Sequence, residues 1–272
     1  MHFLASGQYY GTTNRTLKLG GLVITDTAYT HDRVDWHYHE NPYITFILQG
    51  RLIETAKKDT YHCGQGDLLF HNWDEAHTNT KPPGFTRGCH VELGPAWLKT
   101  MDYDLDRLQG SFHSAHPLAR LLADRLHRET MLADADPASH MAIEETVVHL
   151  LDTLAHENIV LQKDQPSWVK KIRELLNDGG YETLSLVQLA SLLDLHPVHL
   201  SRDFRKYFGC GLSDYIRKVK IGRSLLLLAD PANSLAGISF ESGFADQSHF
   251  GRCFREIMHT SPNVYRQWLL NK

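Results

Sequence analysis

The chain has 272 residues, which is enough for two domains. Hydrophobic residues make up 42% and charged residues 22%, values typical of a soluble globular protein, so a chain that lies mainly in a membrane is excluded. The net charge of -4 hides an asymmetry, because residues 1–162 carry -8 and residues 163–272 carry +4. Only the second half has the sign expected of a protein that binds nucleic acid.

The four cysteines show neither CxxC spacing nor a dense framework. This pattern favours buried thiols in a reducing cytoplasm over disulfides or a zinc site. Residues 1–10 lack the basic and apolar segments of a secretory signal, and the leucine run 225–228 is too short to span a bilayer. We therefore expect a cytoplasmic protein with no membrane partner.

Residues 12–95 contain short segments that are apolar or alternate between apolar and polar residues. These segments are 21–25, 43–48, 51–55, 67–70 and 90–93. Gly50, Gly64, Gly66 and the Pro-Pro-Gly stretch 82–84 separate them. Short strands between such turns predict an antiparallel sandwich or barrel.

Three histidines lie within this predicted barrel. On a strand, residues i and i+2 face the same side, so His37 and His39 are expected to point inward together. With His77 they resemble the two-motif pattern of the cupin barrel, and the resemblance implies a metal site or a ligand pocket. The chain departs from metal-binding cupins in its carboxylate, because Glu40 follows His39 at once and Tyr43 lies nearer the expected place.

Two predictions for this interior stay open. Aromatic walls with a few polar groups suit a small organic effector, and the predicted pocket residues are Trp36, His37, His39, Tyr43, Phe46 and His77. A divalent metal at His37, His39 and His77 is the other candidate, since a metal site needs three or four convergent ligands. Hydrogen bonds within the fold and ordinary aromatic core are the simpler alternatives for the same residues.

Helical patterns follow the barrel at residues 116–157. The first helix is predicted to begin at His116-Pro117, and the second at Asp136-Pro137 with Asp136 as its N-cap. They could pack on the barrel, on each other or across a dimer. The polar stretch 158–167 is the predicted linker, which gives a first domain at 1–157 and a second at 168–272.

The second domain is predicted to be entirely helical. Its first helix begins near Trp168 and ends at Gly179-Gly180. Ser185 caps a second helix, a short break at 194–196 follows, and Pro197 starts a third, which is the helix-turn-helix arrangement. A long helix over 213–229, of about 25 Å, could act as a strut. Caps at Ser234 and Asp246, and a last helix opening at 260–262, then repeat the arrangement.

The repeat has a fixed register of fifty residues, which pairs Leu200 with Phe250, Arg202 with Arg252, Phe204 with Phe254, Arg205 with Arg255 and Tyr215 with Tyr265. Each copy has one apolar helix edge and one edge of polar and basic residues that can bond base edges. The predicted base contacts are Val198, Ser201, Arg202, Gln247, Ser248, His249 and Arg252. The predicted phosphate contacts are Arg205, Lys206, Lys218 and Arg255.

The string from Leu189 to Tyr265 resembles the AraC/XylS family of bacterial transcription regulators. The resemblance rests on Leu189-Ala190, Leu200-Ser201-Arg202, Phe204-Arg205-Lys206, Gly209, Gly243-Phe244, the stretch 246–250, Phe254-Arg255 and Ser261-Pro262. His259 replaces the usual glycine after the second reading helix, Gly251 replaces a small polar residue, and Ser239 replaces alanine.

This resemblance implies an α+β protein with a cupin-like sensor barrel ahead of two helix-turn-helix units that a central helix joins. It also implies a regulator rather than an enzyme, with double-stranded DNA, a small-molecule effector and a second copy of the chain as partners, and RNA polymerase if it activates. The alternatives are a metal-dependent cupin enzyme or metal sensor with a DNA-binding tail, and a ligand-independent regulator whose barrel only dimerises.

Overall fold

A computed structural model describes residues 1–73, 75–133, 137–162, 165–178 and 184–270. The chain divides into two compact units, Met1–Ile159 and Val160–Lys272. Three assignments from the sequence lie outside the described residues: the helix cap Asp136, the linker residues Lys163-Asp164 and the helix end Gly179-Gly180. Residues 158–162, assigned to the linker, are the last residues of a helix that begins at Pro137.

The first unit consists of two facing sheets and helices that cover one of them. Its strands are β1 (His2–Leu4), β2 (Thr12–Leu19), β3 (Leu22–Ala28), β4 (Arg33–His39), β5 (Tyr43–Gln49), β6 (Leu52–Ala56), β7 (Thr60–Cys63), β8 (Leu68–His71), β9 (His77–Thr80), β10 (Arg87–Leu93) and β11 (Phe112–Ser114). The smaller sheet has the order β1-β4-β9-β6-β7, and the larger has the order β11-β8-β5-β10-β3-β2. The pairing of β1 with β4 is parallel and the other pairings between these strands are antiparallel. The predicted β-rich first half is confirmed.

Strand alternation gives the larger sheet two different buried faces. On β5, Ile44 and Phe46 belong to an apolar cluster, whereas Tyr43 and Thr45 line the space between the sheets. The apolar face packs against α2 (Pro117–Leu132) and α3 (Pro137–Gln162), which follow the short helix α1 (Pro95–Thr100). Burying each large apolar side chain there contributes about 1.5–3 kcal/mol. The larger part of the core therefore lies under the helices, while between the sheets a smaller apolar cluster of Ile47, Leu52, Cys63 and Leu69 lies beside the polar groups.

A buried carboxylate fastens α2 to the larger sheet. Asp26 of β3 accepts hydrogen bonds from His127 Nε2 of α2 at 2.9 Å, from Arg87 Nε and Nη2 at 2.7 and 2.8 Å, and from Asn14 Nδ2 at 2.9 Å. Burial alone would raise the pKa of Asp26, but the three donors outweigh it and hold the pKa below its usual value. Removing any one partner would leave a buried charge less compensated.

The second unit is helical throughout its described residues. Its helices are α4 (Ser167–Asp178), α5 (Leu186–Leu192), α6 (Pro197–Phe208), α7 (Leu212–Leu228), α8 (Leu235–Glu241), α9 (Gln247–Met258) and α10 (Pro262–Leu270). The central helix α7 contacts α4, α6, α8, α9 and α10. Both members of the sequence repeat therefore pack on one common helix.

The same aromatic contact recurs in both copies of the repeat. Phe204 meets Tyr215 at 5.6 Å between ring centroids with 82° between the ring planes, and Phe254 meets Tyr265 at 5.7 Å and 68°. All four rings are buried. Edge-to-face pairs of this kind add about 0.5–1.5 kcal/mol beyond area burial. The fifty-residue register is thus a repeat of packing as well as of sequence.

Candidate DNA-reading surface and sensor chamber

In the first helix-turn-helix unit, local caps set the angle between the two helices. Ser185 and Gln188 form a capping box at the start of α5, in which Gln188 N donates to Ser185 Oγ at 3.3 Å and Ser185 N donates to Gln188 Oε1 at 2.8 Å. Asp194 turns the chain with φ of 54°, and His196 Nδ1 accepts from Val198 N at 3.3 Å to begin α6.

The second unit repeats these devices with different residues. Ser234 Oγ accepts from Gly237 N at 3.0 Å to start α8, and Asp246 Oδ1 accepts from His249 N at 2.7 Å to start α9. Gly243, with φ of 82°, makes the turn that Asp194 makes in the first unit. The caps at Ser185, Ser234 and Asp246 are those that the sequence predicted.

The polar edge of α6 faces solvent. Val198 is 64% exposed, and Ser201, Arg202, Arg205 and Lys206 are exposed as well, as contact with DNA would require. The opposite edge of α6 carries the buried apolar residues of the first unit. In the free chain, Arg202 Nε and Nη2 donate to the two carboxylate oxygens of Asp203 at 2.8 and 3.2 Å.

The polar edge of α9 is exposed in the same register. Gln247, Ser248, Arg252 and Arg255 are exposed, and His249 is half-buried because its ring packs edge-on against Phe244 at 5.5 Å. One predicted phosphate contact, Lys218, is less exposed than the others. Lys218 has a mostly buried side chain that donates to Asp214 Oδ2 at 2.9 Å within α7, so its charge is already paired on that helix.

Each of these two helices, which we call the reading helices, forms one wall of a surface groove. The other wall is the N-terminus of the next helix, so Ser201 and Arg205 face Ser213, and Gly251 and Arg255 face Asn263. Helix N-termini present backbone N–H donors and suit phosphate groups. The two grooves are equivalent in the repeat and place a basic side chain beside such donors.

A polar chamber lies between the two sheets of the first unit. Its free volume is about 30 Å³. Its walls include Tyr9, Tyr10, Tyr29, His37, His39, Tyr43, Thr45, Glu54, His77, Asn79 and His90. The histidines and Glu54 in this set are at least 95% buried.

The residues before β2 close the chamber. Tyr9 is stacked on His90 with 3.7 Å between ring centroids and lies 5.0 Å from the ring of His39. Gly7 N donates to Glu92 Oε2 at 2.7 Å, which fixes this segment against β10. Tyr10 packs edge-on against His37 at 5.3 Å. The side chain of Tyr9 therefore occupies space that a ligand would otherwise fill.

Backbone carbonyls orient two of the histidines. His37 Nδ1 donates to the Asp35 carbonyl at 2.9 Å, and His77 Nδ1 donates to the Glu75 carbonyl at 3.3 Å. The Nε2 atom of each ring therefore carries the free lone pair. The lone pair of His77 accepts from the Tyr43 hydroxyl at 3.1 Å.

Burial makes the chamber a set of neutral imidazoles. It lowers the pKa of His37 and His77 to about 4, of His90 to about 3 and of His39 to about 2. Burial also raises the pKa of Glu54 to about 8. Neutral histidines are the form that binds metal ions and accepts hydrogen bonds.

Ligand atoms of His37, His39 and His77 all lie within 4.8 Å of one another. The structure therefore brings together the three histidines that the sequence predicted. Their burial and neutral state, and the fixed tautomers of His37 and His77, fit a divalent metal, although the set contains no carboxylate.

Two predicted pocket residues lie elsewhere. Trp36 is 39% exposed, because strand alternation turns it away from His37 and a bulge between Val34 and His37 interrupts the pairing of β4. Phe46 is buried on the other face of β5, among the apolar residues under α2 and α3. Tyr43 and the three histidines do line the chamber.

The sequence interpretation missed Tyr9, Glu54, His71 and His90. His71 lies beside the chamber, where its ring stacks on Tyr43 at 4.1 Å. The available signal was a polar residue among apolar neighbours on a strand, as in Leu-Ile-Glu at 52–54, Leu-Leu-Phe-His at 68–71 and Cys-His-Val at 89–91.

Among the helices in the described part of the chain, none has both the length and the hydropathy of a membrane-spanning segment.

Comparisons with known proteins agree with the helical repeat. The family model described as a helix-turn-helix domain matches residues 189–267. The chain is 26% identical over 223 residues to the uncharacterized HTH-type transcriptional regulator YbfI of Bacillus subtilis (strain 168), covering 78% of this chain and 80% of that protein. It is 30% identical over 101 residues to the regulatory protein PocR of Salmonella typhimurium, covering 37% and 33%. Among solved structures, ToxT from Vibrio cholerae O395 is 13% identical with a TM-score of 0.39, covering 92% of this chain and 99% of that one. By the match of the family model, residues 189–267 are a helix-turn-helix domain.

Proposed function

We propose that the chain is a cytoplasmic, sequence-specific DNA-binding transcriptional regulator, and not an enzyme. The observation that carries this proposal is the duplicated pair of exposed reading helices, α6 and α9, packed on one central helix. The relatives named as HTH-type or regulatory proteins support the same function.

The two reading helices would enter successive major grooves of one DNA face. These grooves lie about 34 Å apart, and a central helix of about 25 Å can hold two helices at such a spacing. Val198, Ser201, Arg202, Gln247, Ser248, His249 and Arg252 would meet base edges. Arg205, Lys206 and Arg255 would meet phosphates.

Genomic mapping of bound sites would identify the operator, and fluorescence anisotropy on operator and random duplexes would then test the contacts. Lys206→Ala should weaken binding to both duplexes equally and reduce the slope of log affinity against log salt by about 1. If the full-length protein binds no DNA site more tightly than random DNA, the proposed function is wrong.

We further propose that a small-molecule effector in the chamber controls DNA binding. The present free volume of about 30 Å³ holds only a few atoms, so an organic effector would have to displace Tyr9. Its binding would shift the population between states that bind DNA differently. In a thermal-shift screen, a compound at 100 times its Kd should stabilise the first unit by about 2.7 kcal/mol.

The AraC/XylS resemblance also leads us to propose a homodimer, and a contact with RNA polymerase if the protein activates transcription. Size measurement of the purified chain tests the first. Transcription in vitro from the mapped promoter, with and without added protein, tests the second.

A metal-dependent cupin enzyme or a metal sensor with a DNA-binding tail is the second candidate. The observation that favours it is the convergence of His37, His39 and His77. A stoichiometric metal that is lost when these three histidines are replaced would support this candidate over an organic effector.

A further inference from the structure

Glu54 and His71 form a buried pair that joins the two sheets. Glu54 lies on β6 of the smaller sheet and His71 on β8 of the larger one. His71 Nδ1 and Glu54 Oε1 are 3.3 Å apart, and the two side chains are 2% and 3% exposed. Burying such a pair costs more desolvation than an apolar pair of similar size would. A fold that only needed stability at this position would be served equally well by apolar side chains.

The pair also leaves hydrogen-bonding capacity unused. The Nε2 atom of His71 is buried and has no hydrogen-bond partner among the described residues. Glu54 Oε2 accepts from Asn79 Nδ2 at 3.1 Å, so the carboxylate is held in place from its far side. A buried carboxyl group beside an imidazole that has an unsatisfied nitrogen is a costly arrangement, which hydrogen bonds among the described residues do not complete.

A third donor lies beside the pair. One ligand atom from each of Glu54, His71 and His77 lies within 4.8 Å of the other two. Ligands at about 2.1 Å from a common ion stand roughly 3 to 3.6 Å apart, so small side-chain movements would bring the three into range. The Tyr43 hydroxyl, which donates to His77 Nε2 at 3.1 Å, would have to move away from that atom to let it bind the ion.

We propose that Glu54, His71 and His77 bind a divalent transition-metal ion. Two imidazoles and one carboxylate suit ions such as Fe²⁺, Co²⁺, Ni²⁺ and Zn²⁺. This set differs from the cupin-like set of His37, His39 and His77 and shares only His77 with it. The inference concerns the ion site alone and does not depend on the proposed DNA-binding function.

Charge favours the set that contains Glu54. Three neutral imidazoles would leave both charges of the ion uncompensated in a buried chamber, whereas Glu54, whose pKa is raised by burial, would release its proton to solvent as the ion binds and then compensate one of them.

The size of the chamber points the same way. A free volume of about 30 Å³ is enough for an ion with one or two waters and too small for an organic effector while Tyr9 stays in place. Of the three proposed ligands, Glu54 and His77 line this chamber and His71 lies beside it, stacked on Tyr43.

Titration of the chelator-treated full-length protein with Co²⁺ alone tests the proposal. Competition with a chromophoric chelator gives the affinity, and elemental analysis gives the stoichiometry. We expect one Co²⁺ per chain, with the visible absorption bands of Co²⁺ bound to nitrogen and oxygen ligands. Glu54→Gln and His71→Gln should each weaken binding by 100-fold or more, since loss of a ligand exceeds the 10- to 100-fold cost of losing a group that only orients one.

His37→Gln is the matched control, because His37 lies in the same chamber, is buried to the same degree as His71 and belongs only to the other set. It should keep the Co²⁺ affinity within about 3-fold. Circular dichroism and DNA binding of each variant would show that the chain is folded. The proposal is overturned if the wild type binds no stoichiometric Co²⁺, or if His37→Gln loses the ion while His71→Gln keeps it. Failure of the wild type to bind DNA in the same preparations would instead refute the proposed function and leave the ion site untouched.

Discussion

The two equivalent reading arginines differ in the free chain, and the difference predicts unequal effects on DNA binding. The guanidinium of Arg202 is held by both carboxylate oxygens of Asp203. The residue that follows Arg252 in the second copy is the buried Cys253. Arg202 must therefore leave an acidic neighbour before it bonds a base, whereas the position equivalent to Asp203 carries no charge beside Arg252.

The structure lets us compare the sizes of the two effects. A bidentate bond between arginine and guanine is worth about 5- to 150-fold in discrimination between base pairs. An exposed ion pair opposes its own rupture by about 1.4- to 5-fold. We expect Arg252→Ala to weaken operator binding by the whole value of the bond to guanine, about 5- to 150-fold. Arg202→Ala should weaken it less, by that value divided by the about 1.4- to 5-fold that rupture of the ion pair costs the wild type. Both variants should relax specificity at one base pair and bind random duplex nearly as well as the wild type.

Replacing the acid should show the competition directly. Asp203→Asn should tighten operator binding by about 2- to 5-fold, because Arg202 is released and a negative charge near DNA is removed. A double-mutant cycle with Arg202→Ala separates these causes. The assay is fluorescence anisotropy with operator and random duplexes at two salt concentrations. If Asp203→Asn gives the same gain in the Arg202→Ala background, charge alone explains the gain and the ion-pair reasoning is refuted. Equal losses of Arg202→Ala on operator and random duplex would contradict the assignment of Arg202 to a base.

Three further predictions concern stability. His259 ends α9 with a left-handed φ of 53°, which disfavours a side chain, whereas Gly209 ends α6 at the equivalent position with φ of 69°. His259→Gly should therefore raise the free energy of unfolding in urea by about 0.5–1 kcal/mol, and Gly209→Ala should lower it by a comparable amount. Gly251→Ala should raise it by about 1 kcal/mol, because the added Cβ meets nothing within 4 Å on a half-buried helix surface. His90 is neutral when folded, with a pKa of about 3, and charged when unfolded below about pH 6.5, so it makes the first unit less stable as pH falls from 6.5 toward 3. His90→Gln should therefore reduce the slope of unfolding free energy against pH by up to about 1.4 kcal/mol per unit in this range. A slope unaltered in His90→Gln would contradict the assignment of a neutral buried imidazole.

Sequence alone predicted the helical unit closely because its signals are local. The central helix, expected at 213–229, runs over Leu212–Leu228. Apolar residues four positions apart, such as Leu200 and Phe204, define a buried edge within one helix, and each cap lies within three residues of the N–H group that it accepts from. The register of the repeat then checks each assignment against its copy, so an error in one helix would have been visible in the other.

The long β-rich unit was predicted as a class but its interior was predicted only in part. A strand shows which residues share a face and does not show which face meets a partner sheet. Trp36 was assigned to the interior beside His37 although alternation separates them, and the bulge in β4 is a long-range feature of its pairing with β9. Phe46 was assigned to the pocket because aromatic residues suit ligands, whereas here the apolar face of β5 is needed to bury α2 and α3.

The chamber itself depends on which face of the larger sheet holds polar residues. In an ordinary sandwich the space between the sheets is the apolar core. Here the helices provide an apolar core on the outer face, so the inner face can hold Tyr43, Thr45, His71 and His90 at a cost that only buried hydrogen bonds or a ligand can offset. Burial lowers the pKa of His71 and His90, and His71 Nε2 has no hydrogen-bond partner among the described residues. Hydrogen bonds within this part of the chain therefore offset the cost of burying these polar groups only in part. Polar residues between the sheets, combined with an apolar core on the outer face of the larger sheet, are therefore a stronger indication of a binding chamber than any single histidine motif. This combination becomes visible only when the strands are placed in their sheets.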